Sequence, residues 1–170
     1  MGLRYRLRQL KNNLTAGPLS ATEQAQVVAL LSPAEQALFA HLSFADQWHS
    51  VRVLGDLRGA GYNDPDLLAA ALLHDVGKTR YPLTAWDRTV IVVGAALLPR
   101  RTTQWGTGPA EGWRRPFVVR AQHPAWGAEM VTAAGARAAV VDLVRRHADK
   151  PGEAAGDEAL RALQWADDQN

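Results

Sequence analysis

The sequence contains no cysteine. That removes disulfides, thiolate metal sites and cysteine nucleophiles together, so any metal must be held by nitrogen and oxygen. Long apolar runs are missing too. The longest candidate, TVIVVGAALL, stops at Pro99, well short of the roughly 20 residues that a membrane-spanning helix needs. The basic N-terminus MGLRYRLRQLKNN lacks the apolar stretch and small-residue cleavage site of a secretory signal, which leads us to expect a soluble cytoplasmic protein. Sustained period-2 alternation is also lacking, which leaves a sheet no place to form. The formal charge of +2 is too small to imply a nucleic-acid partner.

What is present is a series of helix starts. Ser32-Pro33-Ala34-Glu35 is a capping box with proline at the first helical position, Asp64-Pro65 repeats the preset dihedral, and Thr84 precedes a third run. These predict an all-α fold with helices near 33–42, 44–59, 65–76, 85–98, 124–134, 137–148 and 157–168. The organisation expected is a basic arm or helix over residues 1–30 and one compact domain over 31–170. Trp86, Val90, Val93 and Leu97 fall on one helical face and are expected to pack in the core. Pro99–Ala121 is expected as a long irregular loop, with five arginines against Glu111 alone. Its tryptophans favour packing over disorder.

Three polar groups interrupt apolar helix faces. Val140, Leu143, Val144 and His147 follow i, i+3, i+4, i+7 spacing, so His147 extends the inward face of its helix. Leu160 and Leu163 place Asp167 on their own side, whereas Asp168 shares a face with Arg161 and Gln164. Asp75, following Leu68, Ala71 and Leu72, points inward as well. An inward carboxylate costs several kcal/mol unless it is paired, hydrogen-bonded or bound to a metal. A divalent ion held by imidazole and carboxylate answers all three groups at once, and facing helices of a bundle commonly build such centres.

The order His49, His74-Asp75, His123, His147, Asp167 resembles the HD superfamily of metal-dependent phosphohydrolases, in the variant with two further histidines between the HD pair and the last aspartate. LLAAALLHDVGK is similar to the family's central helix, HPAWGAEMV to the stretch around its third histidine, and LQWADDQN to its closing helix. The resemblance spans Phe44–Asn170. It implies a helical bundle of about six to seven helices in which His49, His74, Asp75 and Asp167 hold one metal. Asp75 would bridge to a second, held by His123 and His147, the ions being two divalent transition metals among Fe, Mn, Co, Ni and Zn. His41 matches nothing in that pattern and reads as structural.

The implied activity is hydrolysis of a small phosphate ester or a nucleotide by metal-activated hydroxide. Lys78, one turn beyond the pair, is placed to add positive charge, with Gly77 loosening the helix so that it can turn inward. Arg115 and Arg120 are the first candidates to clamp the phosphate. Two other readings compete: a mixed-valent di-iron oxygenase of the same superfamily, and a non-catalytic signalling or scaffold domain. The segment His147-Ala148-Asp149-Lys150-Pro151-Gly152 departs from the HHE and DGxGYP elements of cyclic-dinucleotide phosphodiesterases, so cyclic-di-GMP is not assigned as substrate.

Overall fold

Capping residues decide where the helices of this chain begin. The computed structural model describes residues 16–150, 154 and 156–170. Helix α1 spans Ala21–Leu30, and α2, Pro33–Ala40, opens on the reciprocal Ser32/Glu35 capping box. The Ser43 hydroxyl accepts from Asp46 N to start α3, Phe44–Gly59. Asp64 accepts from the amides of Asp66 and Leu67 to start α4, Pro65–Leu73. A second capping box, Thr84 with Asp87, opens α5, Ala85–Leu97. There follow α6, Pro99–Trp105, α7, Arg115–Ala133, and α8, Ala138–Arg146, and Asp157 caps α9, Glu158–Asp168. Among the described residues there is no strand, so the fold is all-α.

Helix α4 forms the centre. Every residue from Leu67 to Leu73 is buried, and α1, α2, α3, α8 and α9 all touch it. A helix apolar on all sides is stable only when surrounded, and each fully buried leucine contributes about 1.5–3 kcal/mol relative to exposure. This packing fixes the last turn of α4 in the middle of the domain, where His74 follows.

The structure corrects several expectations. α4 ends at Leu73 rather than at 76, and a 3₁₀ turn, Val76–Arg80, takes over. Pro99–Ala121 is not one irregular loop: it contains α6, a 3₁₀ turn at Gly112–Arg114 and the start of α7. Trp105 packs against Trp113 and Phe117, with ring centroids 5.1 Å away in each case. α7 begins nine residues earlier than the expected 124, because Pro124 lies inside it rather than at its boundary. These additions, with α1, raise the helix count among the described residues above the expected six to seven.

The stripe on α5 is not core. Trp86, Val93 and Leu97 are 73%, 49% and 73% exposed. α5 packs through its other side, where Gly94 lies against Phe117 and Thr102. Of the basic arm expected over 1–30, residues 1–15 lie outside the described residues. Among those described, no helix is long and apolar enough to cross a membrane.

Candidate metal centre

Six side chains from five places in the chain meet below the end of α4. His49 comes from α3, His74 is the C-cap of α4, Asp75 follows it, His123 lies in α7, His147 is the C-cap of α8 and Asp167 lies in the last turn of α9. His74 is fully buried, and Asp75, His123 and His147 nearly so. Asp168, its neighbour's alternative, is exposed, as the helical-face reading required. His41 caps α2 with Nδ1 2.7 Å from the Ala37 carbonyl and stays outside the cluster.

The six form two groups of three. His49, His74 and Asp167 make one, and Asp75, His123 and His147 make the other. In the first, Nε2 of His49 lies 2.9 Å from Asp167 Oδ1 and 3.3 Å from His74 Nε2. In the second, Nε2 of His123 lies 3.3 Å from Asp75 Oδ1 and 3.1 Å from His147 Nε2. The other oxygen of Asp75, Oδ2, faces back to the first group, 3.5 Å from His74 Nε2 and 3.9 Å from His49 Nε2. One carboxylate therefore presents one oxygen to each group. The termination of α4 permits this, because Asp75 at φ −98° and ψ 2° turns out of the helix beside His74.

The ring orientations are set from behind. His74 Nδ1 lies 3.0 Å from the Ala71 carbonyl, and His147 Nδ1 lies 2.8 Å from that of Val144. His123 Nδ1 lies 2.9 Å from the Arg120 carbonyl and 3.1 Å from that of Val119. An N–H donated backward at Nδ1 leaves the Nε2 lone pair facing the centre, the tautomer of a metal-ligating imidazole. Pro124 contributes to this. Having no N–H, it leaves the Arg120 carbonyl without its helical partner, and the His123 ring takes that place.

Close approach of backbones brings the two groups together. A Cβ built on Gly77 would lie 2.0 Å from the His123 carbonyl oxygen and 2.6 Å from Gly127 N. Glycine is thus required at 77 by the crossing of the 3₁₀ turn over α7, a stronger reason than the helix-loosening expected from sequence.

The donor set fits a metal. Nε2 lone pairs 3.1 and 3.3 Å apart repel unless a proton or a cation lies between them. Two nitrogens each about 2.1 Å from one ion lie about 3.0–3.4 Å apart, which matches both pairs. Imidazole and carboxylate without thiolate suit Mn, Fe, Co, Ni or Zn. Without an ion the charges are balanced internally. Burial pulls His74 down, but Asp75 and then Asp167 outweigh it and push it up to about 10. Burial, then the charges of His74 and His123, push His147 down to about 3. Burial would raise Asp75 and Asp167, yet Lys78 and His74 hold the first, and His49 and His74 the second, well below the usual carboxylate range.

A cavity of about 240 Å³ opens over His49, Asp75 and Asp167. Lys78 lines it and pairs with Asp75 Oδ2. Burial opposes its charge, but Asp75 and Asp46 raise its pKa overall, so it remains a cation. The other two proposed phosphate ligands are not at this cavity. Arg115 Nη2 donates to Asp87 Oδ2 at 2.8 Å and to the Pro82 carbonyl at 3.2 Å, tying the start of α7 to that of α5. Arg120 points to solvent. The arginines that do line the cavity are Arg52 and Arg88. Arg52 sits one turn after His49 and is recoverable from i, i+3 spacing. Arg88 lies in the apolar α5 run and carries no comparable signal.

An all-helical bundle closed around a buried His/Asp cluster of this kind defines an α-domain with a candidate metal site. The profile of the HD domain family matches residues 48–168, a span that contains all six of these residues. The chain belongs to the HD domain family. No curated protein and no solved structure matches it.

Proposed function

We propose that the protein is a metal-dependent phosphohydrolase acting on a small phosphate ester. The observation that carries this reading is the placement of Asp75, one carboxylate oxygen toward each of two imidazole-bearing groups. His49, His74 and Asp167 would hold one divalent ion, His123 and His147 a second, and Asp75 would serve both. Held there, divalent ions would supply Lewis acidity toward a water and toward the non-bridging oxygens of a phosphate.

The chain's own groups supply the rest. The carbonyls of Ala71, Val144 and Arg120 keep the three rings from turning. Lys78, held protonated by Asp75 and Asp46, is a donor and a fixed positive charge rather than a base. It meets the oxygens of a phosphate seated over Asp75. His49 and Asp167 line the cavity and keep part of their side chains exposed, whereas His74 is fully buried.

The test is metal analysis joined to a panel of phosphate monoesters and diesters under Mn, Fe, Co and Ni. His74→Ala and Asp75→Ala should lose metal and hydrolysis together, and full activity in both variants would end the proposal. A mixed-valent di-iron resonance that responds to substrate, with no hydrolysis of any ester, would favour the oxygenase reading instead. Absence of bound metal after metal-replete, reducing purification would favour a non-catalytic domain.

A further inference from the structure

Two helices, α3 and α5, bring Asp46 and Arg88 to the lining of the same cavity. Arg88 of α5 donates Nη1 to Asp46 Oδ1 at 3.0 Å and Nη2 to Asp46 Oδ2 at 2.8 Å. This is a bidentate pair, and it fixes the plane of the guanidinium as well as its position. Asp46 is 6% exposed and is itself held by the Ser43 hydroxyl, which donates to Oδ2 at 2.6 Å. Arg88 keeps a third of its side chain exposed, and it stands close enough to Asp75 to feel that charge. Asp46 takes two of the five N–H donors of the guanidinium, and Arg88 turns the exposed remainder of its side chain to the cavity that Lys78 and Asp75 also line.

The remaining lining says what kind of molecule fits. Arg52, Lys78 and Arg88 stand against Asp46, Asp75 and Asp167, and Asn170 adds an amide. Among the described residues, Ala45 is the sole apolar side chain in the lining, and the one ring is the His49 imidazole, whose Nε2 faces the carboxylates. A nucleobase is usually held by an aromatic face or an apolar slot, and the described residues of this lining offer neither. The volume of about 240 Å³ also falls below the roughly 300–1,000 Å³ common for sites that enclose larger organic ligands.

Resting on the phosphohydrolase reading above, we infer that the Asp46-oriented Arg88 is a specificity-determining phosphate ligand of a site built for compact, hydroxyl-bearing phosphate monoesters such as sugar phosphates, in preference to nucleotides. The phosphate lies between Arg88, Lys78 and the metal centre, and the alcohol part lies against a lining that is predominantly polar.

The experiment uses the full-length, metal-loaded protein in three steps. p-Nitrophenyl phosphate establishes whether any monoester is hydrolysed; its failure, together with failure of inorganic phosphate to bind in calorimetry, sinks the phosphohydrolase reading and this inference with it. With hydrolysis present, kcat/KM for ribose 5-phosphate should exceed that for adenosine 5′-monophosphate by about tenfold or more; the reverse order overturns the inference and leaves the parent reading standing. Arg88→Ala and Arg88→Lys should each weaken inorganic phosphate binding about tenfold or more and raise KM with kcat changed less than about threefold. A purely structural Arg88 would instead lower the melting temperature of Arg88→Ala while leaving phosphate affinity and KM unchanged in the folded Arg88→Lys variant, and that result overturns the inference.

Discussion

Replacing Gly77 by alanine adds one methyl group at the point where the 3₁₀ turn crosses α7. Its nearest neighbours would be the His123 carbonyl oxygen at 2.0 Å and the Gly127 amide nitrogen at 2.6 Å, against the 3.4 Å at which ordinary contact begins. Both neighbours are backbone, so no side chain can swing aside, and the two segments must part by well over an ångström. Overpacking of this kind costs about 1–3 kcal/mol and occasionally more, and the rigidity on both sides places Gly77→Ala near the upper end. The parting also lengthens the 3.3 Å approach of Asp75 to His123, whereas His49 and Asp167, carried by α3 and α9, do not touch this crossing. The variant should therefore melt at a lower temperature and bind about one ion fewer per chain than the wild type, as read by denaturation and by elemental analysis. Gly55→Ala in α3 is the control: nothing lies within 4 Å of a Cβ built there, so its melting temperature and metal content should not fall. A Gly77→Ala protein with wild-type melting and metal content would refute the reasoning.

Three further outcomes are expected. Pro124→Ala restores an amide that competes with the His123 ring for the Arg120 carbonyl; removing a mid-helix proline relieves up to about 3 kcal/mol, so the melting temperature should rise while metal affinity falls about 10–100-fold, measured by thermal scan and metal titration. Asp167→Asn should lose the ion of the His49 and His74 group, and Asp168→Asn should retain it, as elemental analysis of the two proteins will show. Burial would raise Asp46, but the bond and charge of Arg88 lower it overall. Its stabilising contribution is thus present above the ordinary carboxylate range and is lost as pH falls through the lowered value. The difference in melting temperature between wild type and Asp46→Asn should accordingly be full near neutrality and shrink as the pH drops below about 4.

Much of the architecture could be read from capping chemistry, because a cap is a local event. Ser32 with Glu35, Asp64 with Pro65, and Thr84 each mark a helix start that the structure keeps. The inward faces of His147 and Asp167 were legible for a related reason: a polar group in register with buried leucines must go where they go. The same logic failed on α5. An apolar stripe identifies a face but not its neighbour, and Trp86 and Leu97 turn it to solvent while Gly94 packs. Pro124 suggests a boundary because a proline usually is one; the ring of the residue before it, His123, compensates the lost bond and lets α7 continue. Arg88 was invisible because its partner, Asp46, lies 42 positions earlier in the chain, and local patterning carries no information about such a pair. Arg115 and Arg120 are close to His123 in sequence, but their helix directs one to Asp87 and the other to solvent.

The proposed function requires Asp75 to join two metal sites. Anomalous diffraction from crystals grown with Mn would locate them. Two peaks are expected, one against His49, His74 and Asp167 and one against His123 and His147, with an oxygen of Asp75 reaching each. A single peak that leaves one trio without metal, or no peak in the cluster at all, would contradict the proposal.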